Sequence, residues 1–200
     1  MEARDDPQGL QPVVRDGSPA VALIEPGQAP LLARPYYAAG DPGPIVAALA
    51  QVPEVLTATM PFLETVLGPS ALPFRTKELV ILRTSARAAC RYCVESHTIV
   101  ARDVGLSLAE VRALRGEAEL EAGFPDEADR ALLGWCDAIV GTGPVDPAAR
   151  SRLLASFADH EVVELTLLAG ATLLLNRFCT ALELPTSSSV LARLAAEGLG

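Results

Sequence analysis

From Ile45 onward the apolar residues recur three and four positions apart. Val55, Leu56, Met60, Leu63 and Leu67 make one such series. Leu79, Val80, Leu82 and Ala86 make a second, and Leu132, Leu133, Trp135, Cys136 and Ile139 a third. That spacing lines side chains along one face of an α-helix. No stretch alternates apolar and polar residues with the period of two that a half-buried strand needs, and no Asn-Gly hairpin turn is present. Half of the 200 residues are hydrophobic but only 4% are aromatic, so the core is built of Leu, Ala and Val. Leu and Ala favour helices. The sequence therefore predicts an all-α fold of one domain, with connections of a few residues and antiparallel neighbours.

Breakers set the boundaries. Residues 1–43 are rich in Pro, Gly, Asp and Gln and read as a Pro/Gly-rich N-terminal arm, partly extended and disordered near its start. Val21 to Ile24 and Leu31 to Tyr37 carry enough apolar surface for the arm to wrap a neighbouring subunit, and Tyr36 and Tyr37 suit an anchor. The helical domain spans 44–200. Its expected helices run from Ile45 to Val52, from Pro53 to Leu67, from about Arg75 to Ala89, and from about Arg91 to Val104. Ser107 and Glu110 form a capping-box pattern ahead of the next helix. Phe124-Pro125-Asp126 opens another, stopped at Gly141. Asp146 caps one that has Pro147 at its first position. Asp159 is expected to cap a long apolar helix from His160 to about Leu182, and Ser189 to Glu197 finishes the chain.

A net charge of −9 argues against a nucleic-acid partner and against docking on anionic membranes, which both need clustered Lys and Arg. The longest apolar run, Leu165 to Leu175, is short of the ~20 residues that span a bilayer, so it reads as a buried helix. Met1 to Asp6 is acidic, with no basic start and apolar segment of a secretory leader. The expected compartment is the cytoplasm, where thiols stay reduced. A CxxC pair there points to redox chemistry or metal rather than a structural staple.

The pair is Cys90 and Cys93, with His97 four residues on and Glu78 in the preceding helix. Residues at i, i+3 and i+4 share a helix face, so Cys93 lies beside both Cys90 and His97. Thiols in a helix's first turn are favoured as thiolates by the unpaired N–H groups and the dipole there. His97 can accept a thiol proton, and Glu78 can orient and charge His97 as the third member of a relay. The helix N-terminus favours Cys90 as the thiolate, whereas the link to His97 favours Cys93, and the order stays open on these grounds. Zinc is the chemical rival: Cys90, Cys93 and His97 offer three ligands, with His160 or Glu78 as a fourth. Structural zinc sites usually show a second ligand pair, and none is present, so no metal is expected. Covalent haem needs His directly after the second Cys, and Val94 stands there. A thioredoxin-like reading fails because its CxxC follows a strand. Cys136 and Cys179 read as core hydrophobes, Trp135 as core or subunit interface, and His160 as exposed. Arg83 and Arg87 read as pairing with another helix or subunit.

The run of Glu78, Cys90, Tyr92, Cys93 and His97 resembles the alkylhydroperoxidase D-like family of the carboxymuconolactone decarboxylase superfamily. The resemblance covers roughly residues 45–185 and extends to Pro53-Glu54-Val55-Leu56, Lys77-Glu78-Leu79 and Asn176-Arg177-Phe178. It implies an all-helical bundle and a homo-oligomer, a trimer or a hexamer built on dimers. It also implies thiol peroxidase activity on hydroperoxides without metal, haem or other cofactor, recharged by a dithiol reductant. By that likeness Cys93 is oxidised to a sulfenic acid, Cys90 donates a proton and then closes the disulfide, and Glu78 and His97 activate Cys93. Tyr92 stands where the best-studied members can carry His, and its hydroxyl could serve a peroxide oxygen. The paired cysteines set the chain apart from the decarboxylase branch. The alternative is a non-catalytic oligomeric protein of the same fold whose CxxC senses redox state.

Overall fold

The computed structural model describes residues 18–200. Among them there are ten α-helices and no strand: α1 Pro44–Leu49, α2 Pro53–Leu67, α3 Phe74–Arg87, α4 Arg91–Asp103, α5 Leu108–Arg115, α6 Leu120–Gly123, α7 Glu127–Val140, α8 Pro147–Ser156, α9 Asp159–Ala181 and α10 Ser188–Ala196. The fold class is the all-α one that the spacing implies. The capping box at Ser107 and Glu110 forms, and Asp126 and Asp146 accept from the first-turn amides of α7 and α8. Asp159 is not a cap. It is the first residue of α9, and the Ala158 N–H at the cap position donates to Glu161 Oε2 at 2.8 Å. The short α6 has no counterpart in the sequence reading, because four residues are too few for periodicity to show.

Helix α3 is the axis of the domain. It touches α4, α5, α7 and α9, and every residue from Lys77 to Ser85 is buried. The sequence suggests a helix with one apolar stripe and Glu78 beside it, half-buried or at the edge of a pocket; the stretch from Lys77 to Ser85 is instead buried on every side, Glu78 included. Its buried charged residues are tolerated because each reaches a partner, as buried charges must. The Lys77 ammonium donates to the Val66 and Gly68 carbonyls at 3.0 and 2.6 Å and pairs with Glu164 at 3.1 Å. Arg83 forks onto both oxygens of Asp137 in α7, each at 2.7 Å, and Arg87 approaches the same carboxylate at 3.5 Å. Both arginines thus pair with another helix of the same chain. Asp137→Ala would leave the Arg83 charge buried without its fork, so it is expected to cost about 3 kcal/mol in denaturant unfolding. Arg83→Met, which removes the buried charge itself, is expected to cost less.

Helix α9 is 23 residues, twice the apolar run that betrays it, and is long and apolar enough to cross a membrane by length and composition. The run length therefore does not decide the matter. One face, with Leu165, Leu168, Ala169, Thr172, Asn176 and Cys179, packs into the molecule. Cys136 and Trp135 lie in the main core, and the Trp135 indole donates to Thr166 Oγ1 at 3.1 Å. His160 is exposed.

The described part of the arm lies on its own chain, where the sequence left open a wrap around a neighbour. Ala20 donates to the Leu182 carbonyl and Ile24 to the Ala47 carbonyl, while the Gln51 amide donates to the Ala22 carbonyl. Tyr37 is buried and its hydroxyl donates to the Ile24 carbonyl at 2.9 Å, pinning the arm to itself. The expected disorder at the start falls on residues 1–17, outside the described residues.

Candidate redox site

Helix α3 ends in a tight reversal that delivers the first cysteine. The Cys90 N–H bonds the Ser85 carbonyl and the Ala89 N–H bonds the Ala86 carbonyl, a Schellman motif with Ala89 left-handed at φ 53°. That conformation disfavours residues with a Cβ. Cys90 is thus the last element of one helix's cap and the N-cap of α4. Cys93 follows in the first turn and His97 one turn further.

Glu78 comes in from α3, side by side with α4. His97 Nδ1 lies 3.0 Å from Glu78 Oε2 and 3.3 Å from Oε1. An ionised carboxylate only accepts, so Nδ1 carries the proton and donates, which leaves Nε2 free to take one. Glu78 is buried, while His97 retains partial exposure. The structure therefore brings together the two polar residues that the sequence singled out from separate helices.

The sulfur site holds one member more than the sequence reading. Cys179, read as a core hydrophobe, leaves α9 to join Cys90 and Cys93, and the three sulfurs all lie within 4.8 Å of one another. All three are buried, at 1%, 5% and 1% exposure for Cys90, Cys93 and Cys179. Ala48 and Leu184 complete the buried cluster, with Val21 and Leu23 of the arm, Ile45 and Phe178 packed against it. Asn176, one turn before Cys179, is also buried. Its amide nitrogen donates to Ser85 Oγ at 2.9 Å. Sequence reasoning missed Asn176 and Cys179 as site residues. The available signal was an Asn and a Cys at i and i+3 on the face of an otherwise apolar helix.

Three thiols in contact share one negative charge rather than carrying three. Hydrogen bonds from Cys179, then from Cys93, hold the Cys90 thiol far below its usual range against the cost of burial. For Cys93 the Cys179 hydrogen bond is stabilising, but its hydrogen bond to Cys90, burial and the Cys90 charge outweigh it and push the thiol up to about 12. Cys179 is raised as well, by its hydrogen bonds to Cys90 and Cys93 and by burial. These hydrogen bonds and the helix N-terminus act in the same direction, favouring Cys90 over its neighbours as the thiol that ionises first. Burial, then the nearby Cys179 and Cys93, push the Tyr92 hydroxyl up to about 12, so it stays protonated. Cys136 is raised to about 12 by burial in the core, an inert thiol.

The donor set for a metal differs from the expected one. Three thiols converge, whereas His97 is turned through Nδ1 to Glu78 and His160 is exposed. A cavity of about 480 Å³ borders the cluster. Ile45 and Tyr92 belong both to its wall and to the packing around the sulfurs, and Val46, Met60, Leu63 and Leu175 make the rest of that wall largely apolar. The volume and lining suit a small apolar molecule.

Residues 53–144 match the model of the carboxymuconolactone decarboxylase family. No curated protein matches the chain. Among solved structures, the chain is 30% identical to a protein of unknown function from Agrobacterium tumefaciens described as a putative antioxidant defence protein AhpD. That match covers 70% of this chain and 95% of the other, with a TM-score of 0.65. An uncharacterised peroxidase-related protein from Ralstonia eutropha JMP134, an alkylhydroperoxidase AhpD core, is 18% identical over 86% of this chain and 94% of its own, with a TM-score of 0.74. A variant of the debrominase Bmp8 in complex with 2,3,4-tribromopyrrole is 17% identical over 88% and 96%, with a TM-score of 0.73.

Proposed function

The chain belongs to the carboxymuconolactone decarboxylase family with an AhpD-like fold, and from that premise we propose that it is a CxxC thiol peroxidase that reduces hydroperoxides. The observation that carries this reading is the joining of the Cys90 and Cys93 sulfurs with a Glu78–His97 pair one helical turn away. Cys93 shares its helix face with His97. As it attacks the outer peroxide oxygen its proton passes to the Cys90 thiolate, with the free Nε2 of His97 as a second acceptor. The O–O bond breaks, Cys93 becomes a sulfenic acid, and the leaving alkoxide takes that proton back from Cys90 and departs as the alcohol. The Cys90 thiolate then attacks the sulfenic sulfur, the S–O bond breaks, the hydroxide takes a proton from solvent and departs as water, and a Cys90–Cys93 disulfide remains. A dithiol donor returns the two electrons by thiol–disulfide exchange. Tyr92, held protonated, is a hydrogen-bond donor beside the reaction.

One equivalent of an organic hydroperoxide is expected to take the four free thiols to two, with the new disulfide mapped to Cys90 and Cys93 by mass spectrometry. Sustained turnover with dithiothreitol separates an enzyme from a redox sensor, which would oxidise once and stop. Thiols untouched by hydroperoxide would remove the proposal.

The apolar cavity makes a substrate prediction. Met60 lies on its wall and packs against the cluster of Ala50 and Leu56 rather than the one that holds the sulfurs. Met60→Trp is expected to lower kcat/KM for a bulky alkyl hydroperoxide by about 10-fold, the scale of one or two lost apolar contacts, with hydrogen peroxide unaffected.

We also propose that the protein is a homo-oligomer in a compartment that keeps thiols reduced. Helix α9 turns Val163, Leu167 and Leu174 to the surface at 68%, 47% and 55% exposure, a stripe that a second copy would cover. Light scattering is expected to give a multiple of the 20.9 kDa chain, lowered by Leu167→Glu.

A further inference from the structure

We propose that Cys179 is a second resolving thiol, so that a Cys93 sulfenic acid is closed to a disulfide by either of two neighbours held on different helices. The proposal rests on the reading of Cys93 as the thiol that is oxidised. A lone buried cysteine is normally a small hydrophobe, and Cys136 is one, set in the main core apart from the others. Cys179 is placed differently. Its sulfur lies within 4.8 Å of both Cys90 and Cys93, inside the same apolar enclosure. A disulfide needs its sulfurs at ~2.05 Å, a gap of under ~3 Å to close from that separation. Asn176, one turn before Cys179 on the same buried face of α9, donates to Ser85 Oγ at 2.9 Å, so that face is docked on the end of α3 that leads into Cys90.

The step balances without another reactant. Hydroperoxide oxidises Cys93 to the sulfenic acid as before. The Cys179 sulfur attacks the sulfenic sulfur, an S–S bond forms and the S–O bond breaks. The hydroxyl leaves as water with the Cys179 proton, Cys179 is oxidised and the sulfenic sulfur is reduced. In the wild type the third thiol also lies against the Cys90–Cys93 disulfide and can exchange with it, moving the bond without net oxidation. A sulfenic acid flanked by two thiols is closed before a second peroxide can carry it to the sulfinic acid.

Cys90→Ser tests this. Serine is a favoured N-cap, so α4 keeps its start, and circular dichroism checks that the variant folds. The variant is treated with one equivalent of cumene hydroperoxide in the presence of the sulfenic acid trap dimedone. The expected product is a Cys93–Cys179 disulfide with little trapped Cys93. Cys90→Ser/Cys179→Ala under the same conditions is expected to accumulate the dimedone adduct. Equal adduct in both variants, with Cys179 still alkylatable in the single one, overturns the proposal. A parallel arm uses diamide, which oxidises dithiols without peroxide chemistry. If diamide forms the Cys93–Cys179 disulfide while hydroperoxide leaves wild type untouched, the peroxidase reading fails and the thiol pairing stands. If hydroperoxide closes Cys90–Cys93 in wild type but neither oxidant links Cys179, the reverse holds.

Discussion

Cys93→Ser is expected to abolish hydroperoxide turnover, lowering kcat/KM by on the order of 10³-fold or more, as loss of a nucleophile does. Serine keeps the shape of the first turn of α4 and keeps a donor to Cys90, so the fold and the ionisation of Cys90 survive. What disappears is the sulfur that can lend an electron pair to oxygen and wait as a sulfenic acid. Cys90→Ser is expected to lose less, because a thiol remains beside Cys93. The contrast between the two variants, read by steady-state consumption of cumene hydroperoxide, therefore assigns the attacking atom. If Cys90→Ser is dead and Cys93→Ser active, the attack belongs to the thiol that ionises first, and the proposed order is wrong.

His97→Ala is expected to slow oxidation of the thiols by about 10²-fold, the lower end of what a positioned acid or base supplies, with the disulfide still formed at long times. Glu78→Leu is expected to match it, because without the carboxylate at 3.0 Å nothing fixes the proton on Nδ1. Glu78→Gln retains an oxygen that can accept from Nδ1–H and is expected to lose the smaller part. Glu78 acts only through the imidazole, so the double variant His97→Ala/Glu78→Leu is expected to be no slower than His97→Ala alone. Stopped-flow thiol oxidation measures all four. Full additivity of the two single losses would show that Glu78 serves the thiols by another route.

Most of the helices were legible because each buries one face and closes with a readable breaker. The Ser107–Glu110 box and the Asp146-Pro147 start are local chemistry, and local chemistry is what a sequence displays. Helix α3 showed only one apolar stripe because its enclosure depends on partners far along the chain, Asp137 for Arg83 and Glu164 for Lys77. Asp159 was misread because a carboxylate can cap or enter the first turn, and Glu161 reaching back to Ala158 decided the matter. At the site, Glu78 and His97 were visible from their spacing along consecutive helices. Cys179 was not, since its approach to Cys93 is made by the packing of α9 on α3 and α4. No rule of spacing connects it to the CxxC.

Val21 and Leu23, residues from outside the helical domain, pack against the buried cluster that holds the sulfurs and are tethered through Ala20, Ala22 and Ile24. That packing makes the dithiol an insulated one. A sulfur shielded from solvent is shielded from the general pool of cellular disulfides too, so its oxidation state need not follow that of its surroundings. The same shielding faces whatever recharges it. In the proposed cycle a bulky protein donor would have to displace that segment to present its own cysteine, whereas a slender dithiol would not. On the proposed peroxidase reading, selectivity for the electron source would then rest on the strap over the cluster as much as on the cluster itself.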